Sequence, residues 1–271
     1  MMYSGSIHGE YNNSNAKLEE NNLGEYYIKG SSSKLEEGLA IDVHSKVGSA
    51  NKSNKIVAFG DSLTFGYGIA KEEDKWTSIL SKELGCEVIN SGVCGHTSSQ
   101  GLDRIHEDVL IHKPDYVIIN FGMNGHVMVN RNDSRVLLEE YRNNISNIIK
   151  LIKALGSSPI LLTPHRFIEG CAGDGNMGEG ANYYYGRHPE KWYRNEGGAL
   201  NQLSNYCNVL RDLASELNVP LIDIHKKSEN IDLYSILITL ENSLEDDGVH
   251  LNEKGARFYG DILKEFFHNI L

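Results

Sequence analysis

Three residues of this 271-residue chain have the side chains that serine-dependent catalysis requires. Ser62 stands in "FGDSLTFGYG", directly after the apolar run "KIVAF". A serine hydroxyl is a weak nucleophile until a base takes its proton, and His250 in "DDGVHLN" is the candidate base. Asp247 precedes this histidine by three residues, a spacing at which its carboxylate can bond the far ring nitrogen. We interpret the three residues as a candidate nucleophile, base and orienting acid.

Each of these residues also has a purely structural interpretation. Glycine, aspartate and serine are ordinary turn residues, and Thr64 stands where a G-x-S-x-G elbow would have its second glycine. A lone D-x-x-H pair is also typical of a helix-capping acid beside an exposed histidine. Asp246 competes with Asp247 for the orienting role, and spacing alone favours Asp247. Catalysis therefore requires that the fold bring Ser62 and His250 together.

Donors for a developing oxyanion are also present. Acyl transfer needs preorganised donors where negative charge develops. The backbone N–H groups of Ser62 and of Gly95 in "SGVCGHTS", and the side-chain amide of Asn124 in "FGMNG", can supply them. Taken separately, Gly95 can be a turn residue and Asn124 a helix cap or an Asx-turn.

Short apolar runs alternate with amphipathic stretches from Lys55 onward, and these elements must position the candidate residues. The runs "KIVAFG", "CEVINSG", "DYVIINFG", "SPILLTP" and "VPLIDI" are almost wholly apolar, as is typical of strands covered on both faces. Repeated strand–helix alternation predicts an α/β fold with a doubly wound parallel sheet. Ligands bind at the carboxyl ends of such strands, and the segments that carry Ser62, Gly95 and Asn124 follow the first three runs.

The clearest predicted helix covers "RVLLEEYRNNISNIIKLIKAL", in which apolar residues recur at helical spacing. Its predicted buried face consists of Val136, Leu137, Tyr141, Ile145, Ile148, Ile149 and Ile152. Residues 1–53 are polar and lack sustained periodicity, although "EYYIKG" and "LAIDVHSKVG" can each form a short strand. A disordered leader and a small β-appendage both fit this part. The main domain is expected to span residues 54–271.

The composition excludes several classes of function. A formal net charge of −11 and a pI of about 5.5 argue against binding to nucleic acid or to an anionic membrane surface. No run approaches the roughly 18 apolar residues of a membrane span. The cysteines and histidines lack metal-ligand spacing, so we expect no metal and no other cofactor. Because the first residues lack an apolar signal segment, we expect a cytoplasmic protein if this N-terminus is native, and a secreted one if a signal peptide has been removed.

Over residues 55–271 the chain resembles the SGNH (GDSL-type) hydrolase superfamily in four ordered segments. "GDSLTFGYG" resembles its first block, "SGVCGHTS" its second, "GMN" its third and "DGVH" its fifth. The resemblance implies a flavodoxin-like three-layer α/β/α sandwich with a central five-stranded parallel sheet, and ester hydrolysis through an acyl-enzyme. It also implies the following roles: nucleophile Ser62, acid and base Asp247 and His250, and an oxyanion hole of Ser62, Gly95 and Asn124.

One position departs from the pattern of this superfamily. The third block usually continues with aspartate, whereas Gly125 follows Asn124 here. The missing carboxylate is expected to support the loop rather than to react. We therefore expect Asn124 to be held less firmly and activity to be lower.

A long segment, residues 165–198, is the candidate substrate-binding region. Connections longer than roughly 12–15 residues are usually functional or disordered. Aromatic faces suit sugar rings and cationic groups suit an anionic substituent, which makes Arg166, Tyr184, Trp192 and Arg194 the candidate substrate-binding residues. A surface loop whose aromatic rings pack on the domain is the alternative.

Two weaker similarities bear on the substrate. The stretch "PILLTPHRF … NVLRDLASELNVPLIDIH" is similar to rhamnogalacturonan-acetylesterase-like members, which favours short acyl groups on a carbohydrate or small metabolite. "DGVHLN" also resembles the arylesterase and lysophospholipase branch. An O-acyltransferase that uses the same acyl-serine and a non-catalytic carbohydrate-binding protein are the other hypotheses.

Overall fold

The computed structural model describes residues 54–173 and 180–271, together with the backbone of two N-terminal strands. These strands, β1 (Lys17–Glu20) and β2 (Tyr26–Lys29), form an antiparallel pair in which Lys17 lies opposite Lys29. β2 falls within "EYYIKG", where a strand was expected. The other expected strand, "LAIDVHSKVG", lies outside the described residues.

Five parallel strands form the central sheet of the main domain. They are β3 (Lys55–Gly60), β4 (Glu87–Gly92), β5 (Tyr116–Asn120), β6 (Ser158–Leu162) and β7 (Leu221–Ile222). Their order across the sheet is β4-β3-β5-β6-β7, and every neighbouring pair is parallel. The prediction of a five-stranded parallel sheet is confirmed.

Nine α-helices lie in the described residues. They are α1 (Ser62–Phe65), α2 (Trp76–Leu84), α3 (Ser98–Asp108), α4 (Leu138–Ala154), α5 (Tyr183–Arg187), α6 (Ala199–Leu217), α7 (Ile224–Lys227), α8 (Leu233–Ile236) and α9 (Glu253–His268). None of them is both long and apolar enough to cross a membrane.

Alternate residues of β3 pack into two separate cores, one on each face of the sheet. Ile56 and Ala58 contact the side chains of α2 and α9, such as Trp76 and Leu263. Val57 and Phe59 pack on the other face, against α3, α4 and α6. Because the residues of β3 are covered whichever way they point, residues 56–59 are all apolar, whereas the edge strand β4 is only partly buried and includes polar residues. The three-layer α/β/α sandwich is confirmed.

Helix α4 shows how closely periodicity located the buried face. Of the predicted face, the structure buries Val136, Tyr141, Ile145, Ile148, Ile149 and Ile152. The prediction for Leu137 was wrong, since 52% of its surface is exposed. Leu137 is the N-cap of α4 and has extended backbone angles, so it lies outside the helical repeat.

The strand order also places the ligand crevice. β3 and β5 are neighbours, but the connection that leaves β3 leads to β4 on one side of them, whereas the connection that leaves β5 leads to β6 on the other side. In open α/β sheets, the carboxyl ends of the strands at such a point border a crevice. Ser62 follows β3 by two residues, and Asn124 follows β5 by four residues.

Candidate active site

The turn from β3 into α1 presents Ser62 as the first residue of a short helix. Asp61 caps this helix, accepting a hydrogen bond from Leu63 N at 3.0 Å. Gly60 is needed because a Cβ there would lie 2.2 Å from Thr64 Oγ1. The tight turn therefore holds the Ser62 side chain at the carboxyl edge of the sheet.

His250 and Asp247 complete a hydrogen-bonded chain that ends on Ser62. His250 Nε2 lies 3.0 Å from Ser62 Oγ, and His250 Nδ1 lies 2.8 Å from Asp247 Oδ2. The other carboxylate oxygen, Asp247 Oδ1, accepts the backbone N–H groups of Val249 at 2.7 Å and His250 at 2.6 Å. Asp246 accepts from Tyr183 N instead, so Asp247 is the acid that contacts the histidine.

Two carboxyl groups near this chain have opposite pKa shifts. Burial acts to raise the pKa of Asp247, but hydrogen bonds from the His250 ring, its charge and two backbone N–H groups outweigh this and hold the pKa at about 2. Burial raises the pKa of Asp61 to about 7, although the Leu63 N–H and the charge of His250 oppose it. Asp247 therefore stays ionised beside the imidazole, as an orienting acid must.

Besides Ser62, the predicted oxyanion donors lie on two loops, with Gly95 after β4 and Asn124 after β5. Asn124 lines the same cleft as Ser62, and its Nδ2 donates one hydrogen to His96 O at 3.1 Å. An amide nitrogen has two hydrogens, so one does not bond His96. The Asn124 side chain also hydrogen-bonds the Asp61 carboxyl and acts to lower its pKa. Gly95 precedes His96 in an exposed turn and does not line the cleft. Asn124 and Ser62 thus line the same cleft, whereas Gly95 lies outside its lining.

The loop that carries Asn124 is held in place although it lacks the usual aspartate. Gly125 O accepts Val136 N at 3.2 Å. The next residue, His126, is fully buried, with Nδ1 3.3 Å from Gly122 O and Nε2 3.0 Å from the Tyr184 hydroxyl. These bonds provide the loop with support that the sequence comparison did not reveal.

A cleft of about 510 Å³ opens at Ser62. Its aliphatic lining residues are Met123, Val127 and Val249, and the rings of Tyr67 and Tyr184 also line it. Charged side chains occupy other parts of the lining, namely Arg135, Arg187, Glu245 and Asp246. Within residues 54–173 and 180–271, no group of three or more His, Cys, Asp or Glu side chains could hold a metal ion.

Of the four predicted substrate-binding residues, the structure places only Tyr184 on the lining of this cleft. Arg166 Nη1 lies 3.7 Å from Glu229, and Arg194 pairs with Glu190 at 2.8 Å on an exposed surface. Trp192 packs against a buried cluster that includes Leu203. Aromatic and cationic composition did not distinguish residues that face the cleft from residues that support the segment.

Sequence reasoning also missed residues that contact the site. The Tyr67 ring lies 4.4 Å from the His250 ring, measured between centroids. Arg135 also lines the cleft, and it lies in the connection between β5 and α4, outside the predicted substrate-binding region. Helix α5 was missed because "YYYGR" is short and contains a glycine and three aromatic residues that favour strands. For Tyr67, its position five residues after Ser62 could have indicated that it lies near the site.

The chain matches the family model of the GDSL-like lipase/acylhydrolases over residues 56–263. It belongs to this family. As a GDSL-like acylhydrolase it is a carboxylic ester hydrolase, and the resemblance inferred from the four segments is confirmed.

Two relatives and one solved structure illustrate the relationship. The GDSL-like chain is 31% identical to the uncharacterized lipoprotein YqeF of Bacillus subtilis, over 74% of this chain and 84% of that protein. It is 35% identical to an acetylxylan esterase of Geobacillus stearothermophilus, over 46% of this chain and 64% of that protein. The crystal structure of the lipase/acylhydrolase from Enterococcus faecalis shares the fold, with a TM-score of 0.57 and 23% identity over 80% of this chain and 97% of that one.

Proposed function

We propose that this hydrolase is a serine esterase whose nucleophile is Ser62, whose base is His250 and whose orienting acid is Asp247. The hydrogen-bonded chain from Ser62 Oγ through the His250 ring to Asp247 carries the proposal. Neither structural alternative, a plain turn or a capping acid beside an exposed histidine, accounts for a bond between residues 188 positions apart.

The mechanism follows from this geometry. Ser62 Oγ attacks the ester carbonyl carbon while His250 Nε2 accepts the hydroxyl proton. His250 then gives that proton to the leaving alcohol oxygen, and the acyl group remains on Ser62. A water molecule attacks the acyl-serine, again with His250 as the base, and releases the carboxylic acid. Asp247 holds the His250 ring in the required tautomer and stabilises its charged form.

The oxyanion formed in both steps requires donors beside Ser62 Oγ. We assign this role to Asn124 Nδ2 and the Ser62 N–H, since both residues line the cleft, while the Gly95 N–H stays a prediction because Gly95 does not line it. The Asn124 hydrogen that does not bond His96 O supports this assignment. Donors of this kind act on the charge that develops in the transition state.

The cleft favours a short acyl group on a polar alcohol. Three aliphatic side chains, Met123, Val127 and Val249, line it, and they can cover an acetyl group more completely than a long chain. The charged remainder suits a hydroxyl-rich alcohol such as a sugar. Similarity to an acetylxylan esterase supports an acetyl ester of a carbohydrate or small metabolite as the substrate.

A panel of substrates tests this proposal. The p-nitrophenyl esters of acetate, butyrate and octanoate, with acetylated xylooligosaccharides, would be given to the wild type and to Ser62→Ala. We expect kcat/KM to be highest for the acetyl esters and activity to vanish in Ser62→Ala. Faster hydrolysis of the octanoate would exclude the acetyl preference, and residual activity in Ser62→Ala close to the wild type would exclude the mechanism.

We place this enzyme outside the cytoplasm. The similarity to a lipoprotein supports the secreted one of the two expected locations. Fractionation of the native host with an antibody to the chain tests this, and recovery in the cytosol alone would contradict it.

A further inference from the structure

Helix α5 is hydrogen-bonded to the turn that carries Asp247. The two terminal nitrogens of the Arg187 guanidinium donate to the backbone carbonyls of Asp246 and Asp247. At the other end of the helix, Tyr183 N donates to Asp246 Oδ1 at 2.6 Å. The next residue of the turn, Gly248, has a φ of +69°, and a Cβ there would lie 2.7 Å from the Tyr183 ring. The helix therefore packs directly on the turn.

The backbone of Tyr183 is strained at this contact. Its φ of +51° falls in the left-handed region, which a bulky residue rarely adopts. Such angles persist where the surrounding structure holds them, and they cluster at functional sites. Here the Asp246 carboxylate holds the strained residue through its N–H group.

The two carbonyls bound by Arg187 belong to the peptide planes on either side of the Asp247 Cα atom. Fixing both planes fixes the direction in which the Asp247 side chain leaves the backbone. That side chain in turn bonds His250 through the ring nitrogen and the backbone N–H. Arg187 thus acts on the His250 ring through Asp247.

The geometry points to Arg187 as a positioning residue for the Asp247–His250 pair. This inference rests on the proposed function of that pair. A planar guanidinium presents two parallel donors in a fixed fork, whereas a lysine ammonium is a single centre of charge. Spanning two adjacent carbonyls therefore depends on the shape of the arginine and not only on its charge.

Kinetics of Arg187→Ala and Arg187→Lys test the inference, with p-nitrophenyl acetate as the probe. For Arg187→Ala we expect kcat to fall by about 10²-fold with little change in KM, because a small misplacement of catalytic groups has effects of this size. Arg187→Lys is expected to remain impaired, and millimolar guanidinium is expected to restore part of the Arg187→Ala activity. In the ¹H NMR spectrum, the downfield proton signal of His250 Nδ1–H is expected to weaken in both variants.

The control is Arg142→Ala, which removes an arginine that pairs with Glu216 on the surface. This variant is expected to match the wild type in kcat and in the NMR signal. An unchanged kcat and NMR signal in Arg187→Ala, an increase in KM alone, or full activity of Arg187→Lys would each overturn the inference. Loss of activity in Ser62→Ala with no effect at Arg187 would overturn the inference while leaving the proposed function intact.

Discussion

The two walls of the cleft are built in different ways. One wall consists of residues that lie within four positions of the ends of buried parallel strands, with Ser62 after β3 and Asn124 after β5. The other wall comes from the long segment between β6 and α6, where α5 supplies Tyr184 and Arg187. The strand-end wall carries the candidate nucleophile and the candidate oxyanion donor. Asp247 and His250 come from the turn before α9, which the α5 wall contacts through Arg187. In this fold, chemistry and positioning are therefore encoded in separate parts of the chain.

Removing the proposed base should cause the largest loss of activity. His250→Ala is expected to lower kcat on the order of 10⁴–10⁶-fold, since a serine without its base loses nearly all nucleophilic catalysis. Steady-state hydrolysis of p-nitrophenyl acetate measures this. A decrease of less than tenfold would show that another group accepts the Ser62 proton.

The next largest effect is expected in the pH dependence of stability, through Asp61, the residue before Ser62. The raised pKa of Asp61 means that between about pH 4 and 7 the carboxyl is protonated in the folded state but ionised in the unfolded state. Its contribution to stability therefore falls as pH rises through this window. Asp61→Asn keeps a side-chain oxygen that can cap α1. Between pH 4 and pH 8, the unfolding free energy of this variant relative to that of the wild type should rise by on the order of 4 kcal/mol.

Urea unfolding of both proteins at pH 4 and pH 8 checks this difference, because all other titrating groups are common to the two chains. An equal difference in unfolding free energy at the two pH values would show that Asp61 titrates in its ordinary range.

Removal of the side-chain oxyanion donor should have a somewhat smaller effect. Asn124→Ala is expected to lower kcat by about 10²–10³-fold, or about 2.7–4 kcal/mol of transition-state stabilisation. Fluorophosphonate labelling and kcat are measured in the same preparation, with Asn130→Ala, an exposed asparagine later in this connection, as the control. Unchanged turnover in Asn124→Ala would remove this residue from the oxyanion hole.

A smaller effect is expected when a hydrogen bond between the two walls is removed. Tyr184→Phe removes the hydroxyl that joins α5 to His126, and it leaves His126 Nε2 buried without that partner. We expect the free energy of unfolding to fall by about 1–3 kcal/mol, the usual effect of an unsatisfied buried polar group. Thermal unfolding measures this, and an unchanged midpoint would mean that the two walls are joined mainly by other contacts.

The smallest effect is expected at two arginines of the same segment. Arg166 and Arg194 pair with glutamates away from the cleft, so Arg166→Ala and Arg194→Ala should leave KM for acetylated xylooligosaccharides unchanged. An increase in KM in either variant would extend the substrate-binding surface beyond the cleft lining.

The difference between the walls also explains what could be predicted from sequence. Ser62 and Asn124 were found because strands that are covered on both faces appear as apolar runs, and these runs end at a defined edge of the sheet. The role of the α5 wall could not be found in this way, because Arg187 acts through a guanidinium fork on backbone carbonyls sixty residues away. A contact with a backbone group leaves no sequence signal at the partner position. His126 was missed for a different reason: its ring bonds the Tyr184 side chain across 58 positions, a separation at which residue spacing gives no signal.

The central claim is that the acyl group passes through Ser62. Mass spectrometry of enzyme quenched in acid during turnover of p-nitrophenyl acetate tests it most directly. The account predicts one added acetyl group on the peptide that contains Ser62, present in the wild type and absent in Ser62→Ala. An unmodified Ser62 peptide together with a stable acetyl group on a different residue would contradict it.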